Sequence, residues 1–256
     1  RALTVNRSEH DRAHERLSSG LRINRAADDA AGLAISDKMN AKVRSLSQAM
    51  RNAQDGISLV QVAEGAMNEV GGILIRLREL SIQAASDTIG NAERGMLNKE
   101  VVHLGEEIDR IAQNTEYNGM KLLDGGLHWP TLEIQVGTGN EIEDRAEIDR
   151  RHFNVRLEYL GLYGIDFSSK ADAQEFIGEI DDAINQVSGV RATLGALQNG
   201  LQTTVQNLGQ SRENLMASKS RILDADFASE SAENIKADIL SQSAAAVLTQ
   251  ANQTPQ

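Results

Sequence analysis

Two histidines near the amino terminus are the residues best placed to do chemistry. His10 and His14 stand four residues apart, so on a helix both imidazoles lie on one face and can share a metal ion. The zinc-binding pattern with this spacing places a Glu after the first histidine and a third ligand elsewhere in the chain. Asp11 follows the first histidine here and no third ligand is identifiable, so the pair is a weak metal candidate on a predicted solvated helix face.

Other stretches that resemble chemical motifs each lack an essential residue. Gly137-Thr138-Gly139 has Ile142 where a dinucleotide-binding loop has its third glycine. Asp224-Ala225-Asp226 lacks both the turn glycine and the bidentate Glu of a calcium loop. The acidic cluster from Glu141 to Asp149 is interspersed with arginine, which is typical of a solvated hairpin surface. We therefore predict no enzyme activity and no cofactor.

Composition excludes further classes of protein. The chain has 256 residues and no cysteine, which rules out a disulfide scaffold, a zinc finger and thiol catalysis. Its formal net charge of −11, without clusters of Lys and Arg, argues against a nucleic-acid partner. No apolar run approaches the roughly 18 residues needed to span a membrane. The charged segment 1–25 does not resemble a signal peptide.

Apolar residues recur at helical spacing in 1–117 and 170–256. Three seams step by three and four residues, a repeat near 3.5 that is typical of coiled-coil packing; they run over 63–77, 97–111 and 187–215. The segment from about Ala27 to Ser86 is predicted as one helix of roughly 90 Å. We expect the second seam to fold back on the first through a loop at 87–92. The carboxy-terminal helix then packs antiparallel to the first, and the predicted fold is mainly α, a long helical rod.

The middle of the chain has a different character. Seven of the eight aromatic residues lie between Tyr117 and Phe176, among many turn-forming residues. The run 132–136 alternates strictly between apolar and polar residues, which predicts a half-buried strand paired with a second strand somewhere in 141–157. At the carboxy-terminal end, 224–250 carries an amphipathic face with little of its own chain to pack against. That face either frays or makes contacts between subunits.

Ordered motifs along both helical halves are similar to the signatures of bacterial flagellins. The resemblance covers nearly all of 15–125 and 185–256, and these motifs carry it: Glu15–Asn24, Ala27–Ile35, Asn52–Ser58, Ala63–Ala66, Arg76–Leu80, Glu107–Ile111, Tyr117–Gly119, Ser220–Phe227 and Gln250–Gln256.

The resemblance implies a secreted, extracellular filament subunit for motility. It implies a terminal, inner-tube domain from 1–27 and 224–256 and a rod domain over 28–223, with a strand and loop part at about 118–170. The large variable outer domains of the family look absent, and further residues are expected before Arg1 and after Gln256. Two alternatives are a hook–filament junction protein and a cell-surface homologue with a ligand-binding role. In the second, His10 and His14 would be the candidate binding residues.

The resemblance also implies partners. They are other subunits, an export chaperone that binds about 224–256, and vertebrate Toll-like receptor 5. In flagellins recognised by that receptor, an arginine, a leucine and a glutamate on adjacent rod helices form the main contact, and they match Arg76, Leu80 and Glu100. Arg76 and Leu80 are four residues apart and so share a helix face. The same face also has the alternative role of packing between subunits.

Overall fold

A computed structural model describes residues 2–125 and 130–253. Within them the chain is mainly α, as predicted. The α-helices and β-strands, in chain order, are α1 (Ala2–Ser19), α2 (Ala30–Ala84), α3 (Asn91–Asn114), β1 (Glu116–Tyr117), β2 (Met120–Lys121), β3 (Thr131–Gln135), β4 (Arg145–Asp149), α4 (Lys170–Leu223) and α5 (Phe227–Gln253). Gly126, Trp129 and the final residues Thr254–Gln256, which entered the sequence predictions, lie outside the described residues.

Short polar side chains begin three of the helices. The carboxylate of Asp29 accepts a hydrogen bond from the backbone N–H of Gly32 at 2.8 Å, and the carboxylate of Asp226 accepts one from Ala228 at 3.0 Å. The Ser169 hydroxyl accepts one from Asp172 at 3.2 Å at the start of α4. Each bond satisfies a backbone donor that has no partner inside its helix. These caps set where α2, α4 and α5 begin.

The chain divides into two compact units. One consists of residues 1–47 and 209–256, and the other of residues 48–208. Helices α2 and α4, of 55 and 54 residues, each contribute to both units. The domain limits proposed from the resemblance, at residues 27 and 224, remain predictions.

The core of the 48–208 unit is built on the predicted seams. Met67, Val70, Leu74 and Leu77 of α2 are fully buried. They pack in one cluster with Val101 and Ile108 of α3 and with other fully buried residues of α4, namely Ile180, Ala183 and Leu194. Removing such side chains from water is the main favourable contribution to folding. The heptad spacing therefore identified the core correctly.

Three contacts show that α2 and α4 run antiparallel inside this unit. The Arg78 guanidinium donates to the Asp181 carboxylate at 2.6 Å, and the buried Ser81 hydroxyl donates to the carbonyl of Ala173 at 2.6 Å. Further along both helices, Gly56 lies close to Leu201. The hydrogen bond from Arg78 holds the pKa of the Asp181 carboxyl below its ordinary value.

Two small hairpins lie between α3 and α4. Strands β3 and β4 pair antiparallel, with Glu133 opposite Glu147, so the predicted second strand is found at 145–149. Strands β1 and β2 form a shorter hairpin, where the sequence had indicated turn-forming residues but no strands. Its turn residues, Asn118 and Gly119, have φ of 50° and 78°, a conformation that asparagine and glycine tolerate best.

Side chains of α3 fasten the irregular segment before α4 to the helices. The Asn98 side-chain oxygen accepts the backbone N–H of Phe167 at 2.8 Å, and the Asp109 carboxylate accepts that of Leu157 at 2.9 Å. Phe167, one of the aromatic residues of the middle, is fully buried in the same cluster as the helical seams. The aromatic segment thus extends the helical core of this unit.

Replacing a buried residue and, separately, its exposed neighbour by alanine tests whether the predicted seam forms the core. Leu74→Ala is expected to lower the free energy of unfolding by about 2–5 kcal/mol, because a fully buried leucine leaves a cavity. Ile75→Ala is the control, because Ile75 is 55% exposed and its loss is expected to change stability by less than about 0.5 kcal/mol. Urea unfolding followed by circular dichroism measures both, and equal effects would contradict the seam.

Candidate functional site

A buried arginine organises the turn between α2 and α3. Arg94 is 6% exposed, and its guanidinium donates to the carbonyls of Ala84 and Ser86 and to the side chain of Asn91, each at 2.8 Å. The two carbonyls lie at and just beyond the end of α2, where backbone acceptors have no partner within the helix. Arg94 therefore fixes how α3 starts back along α2, and the sequence reading did not identify this role.

The fold-back brings two of the predicted receptor residues together. Arg76 of α2 donates from Nη2 and Nε to Oε1 of Glu100 on α3, at 2.8 and 3.0 Å, and from Nη1 to Glu79 at 3.0 Å. These hydrogen bonds, the one with Glu100 foremost, raise the pKa of Arg76 above its ordinary value. About half of each side chain of the Arg76–Glu100 pair is exposed. The pair is therefore a surface feature that a partner can reach, and it adds little to stability.

Leu80 is placed differently from the other two predicted receptor residues. Its side chain is fully buried and belongs to the apolar cluster of the 48–208 unit. Four residues along a helix turn the side chain by about 40°, which here is enough to carry it from the exposed face into the core. Leu80 therefore supports the helix that presents Arg76, and its side chain is not accessible on the surface of the described chain.

The two amino-terminal histidines lie on α1 with their ring centroids 6.3 Å apart. His14 is exposed, and His10 is half-buried with its Nδ1 3.8 Å from the Asp11 carboxylate. No group of three His, Cys, Asp or Glu side chains suited to a metal ion is found within 2–125 and 130–253. The weak metal hypothesis gains no third ligand from the fold.

In the unit of residues 1–47 and 209–256, the first and last helices of the chain contact each other. The backbone N–H of Arg22 donates to the carbonyl of Leu223 at 2.6 Å, and that of Ala225 donates to Gly20 at 3.0 Å. Arg16 of α1 donates to Glu230 of α5 at 3.1 Å, and that carboxylate side chain is only 12% exposed. Helices α1 and α5 therefore run antiparallel and are fastened at their junctions with α2 and α4.

Helix α5 leaves large apolar side chains in solvent. Five of them are more than 40% exposed, namely Phe227, Ile235, Ile239, Leu240 and Val247. The structure does not show the single amphipathic face that was predicted, because at about 100° per residue these side chains lie on more than one side of the helix, whereas Ala237 is buried. No helix in the described parts of the chain has the length and apolar character required to cross a bilayer. Large apolar side chains exposed in this number mark a surface for protein contacts.

Comparison with known proteins assigns these elements to a family. A model of the bacterial flagellin N-terminal helical region matches residues 1–127, and one of the C-terminal helical region matches 177–256. A flagellin of Halalkalibacterium halodurans is 45% identical over 256 residues, covering 100% of this chain and 93% of the relative. The chain belongs to the bacterial flagellin family.

Further relatives agree with this family assignment. The flagellin of Bacillus subtilis is 42% identical over 286 residues, covering 99% of this chain and 93% of the relative. The crystal structure of Bacillus cereus flagellin is 30% identical with a TM-score of 0.55, and the match covers 62% of this chain and 88% of that one. Flagellin helices therefore flank the short hairpins described above.

Stability measurements separate the buried from the exposed residues of the receptor prediction. Leu80→Ala is expected to lower the free energy of unfolding by about 2–5 kcal/mol, because Leu80 is fully buried. Arg76→Ala and Glu100→Ala are expected to leave it unchanged within error, since the pair is exposed to solvent. Urea titration checks all three variants. A Leu80→Ala variant as stable as the wild type would show that this leucine is not a core residue.

Proposed function

We propose that the chain is the structural subunit of a bacterial flagellar filament, and that it acts outside the cell. Family membership and the flagellin relatives that match along the whole chain support this proposal. The observation that carries it in the structure is the set of large apolar side chains of α5 that the described residues of the chain leave exposed. A function of this kind needs packing surfaces and no catalytic group.

Assembly follows from where apolar surface is buried and where it is left exposed. The seams of α2, α3 and α4 are satisfied within the chain, whereas α5 keeps its aliphatic side chains in water. Burying one such side chain against a second subunit contributes about 1.5–3 kcal/mol. A head-to-tail contact between unlike surfaces that does not close on itself generates an open helical polymer.

Charge placed on the α5 face tests this assembly mechanism. In the complete protein, changing Ile235 and Ile239 together to Asp is expected to abolish filament formation, because each carboxylate would lose its hydration in the contact. Changing both to Leu is the matched control and is expected to preserve filaments. Electron microscopy after salt-induced polymerisation reads the result, and circular dichroism checks that the variants remain helical. A wild-type protein that forms no filaments would contradict the proposed function.

The two alternative functions have weaker support. A hook–filament junction protein would share the terminal helices, but relatives at 45% and 42% identity along nearly the whole chain are flagellins. A cell-surface homologue with a ligand-binding role would depend on His10 and His14. Zinc titration by calorimetry at neutral pH, repeated at two temperatures, addresses that role, and the absence of saturable binding at both would remove it.

Two partners are proposed beyond the subunits themselves. We infer that an export chaperone covers residues 224–256 before secretion, because the exposed apolar side chains of α5 would otherwise associate inside the cell. Toll-like receptor 5 is the second proposed partner. The contact between Arg76 and Glu100 supports it, since the pair forms an accessible charged surface on two adjacent helices. In this proposal Leu80 acts from the core by holding α2 in place.

A receptor-signalling assay tests the proposed contact. Arg76→Ala and Glu100→Ala are each expected to lower potency at least about fivefold, the loss typical of a contact residue that contributes more than 1 kcal/mol. Arg110→Ala is the matched control, because Arg110 forms a similar exposed ion pair with Glu107 on α3. Unchanged potency in both variants, or an equal loss in the control, would remove this site.

A further inference from the structure

The long helices contain glycines of two kinds. Gly56 and Gly105 are closely packed, because a Cβ atom there would meet Ile134 at 2.5 Å and Leu157 at 3.3 Å. Other helical glycines lie in open space, with no atom within 4 Å of an added Cβ: Gly65, Gly71, Gly72, Gly95, Gly178, Gly189, Gly195 and Gly200. Packing within the chain therefore explains why glycine stands at the positions of the first group, and it gives no reason for glycine at those of the second.

Three open glycines of α4 are the clearest of these positions. Gly178, Gly189 and Gly200 are exposed, lie well inside the helix Lys170–Leu223, and belong to the 48–208 unit. Their exposed neighbours one turn away are mostly polar, among them Glu175, Asp182, Gln186, Thr193 and Thr203. A wet, polar surface of this kind is unlike the apolar centre of a protein contact.

Each open glycine weakens its helix. Glycine loses more backbone freedom on folding than any other residue, and replacing it by alanine at an exposed helical position is expected to favour folding about fivefold. Nothing packed against the three positions of α4 in the described chain requires glycine, since an added Cβ would meet no neighbouring side chain within 4 Å. Because the positions are eleven residues apart and share no partner, their effects are expected to multiply to roughly a hundredfold.

We propose that these open glycines keep the helical core easy to unfold, so that the chain can leave the cell. The inference rests on the proposed extracellular function. A helix of 54 residues is about 80 Å long, and three packed helices are several times wider than an extended chain. The chain can therefore leave through any passage narrower than its folded core only after unfolding, and glycine in place of alanine favours the unfolded chain.

The experiment compares stability with secretion in a flagellated bacterium whose own flagellin gene is replaced. The triple variant Gly178→Ala, Gly189→Ala, Gly200→Ala is expected to lower the unfolding equilibrium constant roughly a hundredfold in urea. Its secretion into the medium, measured by pulse labelling, is expected to fall. Adding Val187→Ala, which removes a nearly fully buried side chain of the same helix, returns stability towards the wild type and is expected to restore secretion.

Asparagine variants separate the effect of helix stability on secretion from the effect of side-chain size. Asparagine is larger than alanine but favours the helix much less, so Asn at the same three positions is expected to leave secretion near the wild-type rate. Secretion by the alanine variant at the wild-type rate would overturn the inference, as would an equal secretion defect in the asparagine variant or no gain in stability. A wild-type chain that stays inside the cells would instead contradict the filament function itself.

Discussion

The antiparallel packing of the long helices in residues 48–208 is the constraint on which the rest of the fold depends. Neither α2 nor α4 has another apolar surface large enough to bury along its length in this unit, so each needs the other and α3 to exclude water from its seam. The chain has few aromatic residues to form an alternative core, since they make up 3% of the sequence. Small and aliphatic side chains in register therefore carry the stability of this unit.

A repeating apolar seam by itself does not specify register, because sliding by one heptad restores similar contacts. Directional polar contacts remove that ambiguity in this protein. Ser81 bonds to a single carbonyl on α4, and Arg94 bonds to two carbonyls at the end of α2. Asn98 and Asp109 then hold the irregular segment against α3. Burial supplies the free energy, and these bonds select one alignment.

Charge and apolar surface are distributed unevenly along the chain. Residues 48–208 hold 25 Asp and Glu against 13 Lys and Arg, a formal charge of −12, so this unit accounts for the whole negative charge of the chain and the other unit carries +1. The exposed apolar side chains of α5 belong to the other unit, in which acidic and basic residues nearly balance. Copies of the acidic unit repel one another at low ionic strength, and salt screens that repulsion. Apolar contacts between copies are therefore expected at the terminal unit, where the electrostatic repulsion between copies is weakest.

The sequence by itself determined the helical seams, a strand at 132–136 that the structure shows at 131–135, its partner downstream, and the family, because periodicity and ordered motifs are local signals. It also identified Arg76 and Glu100 as neighbours, since a short loop forces α3 back along α2. Only the tertiary structure decided that Leu80 is buried, that Arg94 fastens the turn, and that the exposed apolar side chains of α5 lie on more than one side of the helix. These outcomes depend on which neighbour reaches each side chain. Residues one helical turn apart have nearly the same sequence signal, and the packed partner alone determines which of them meets water.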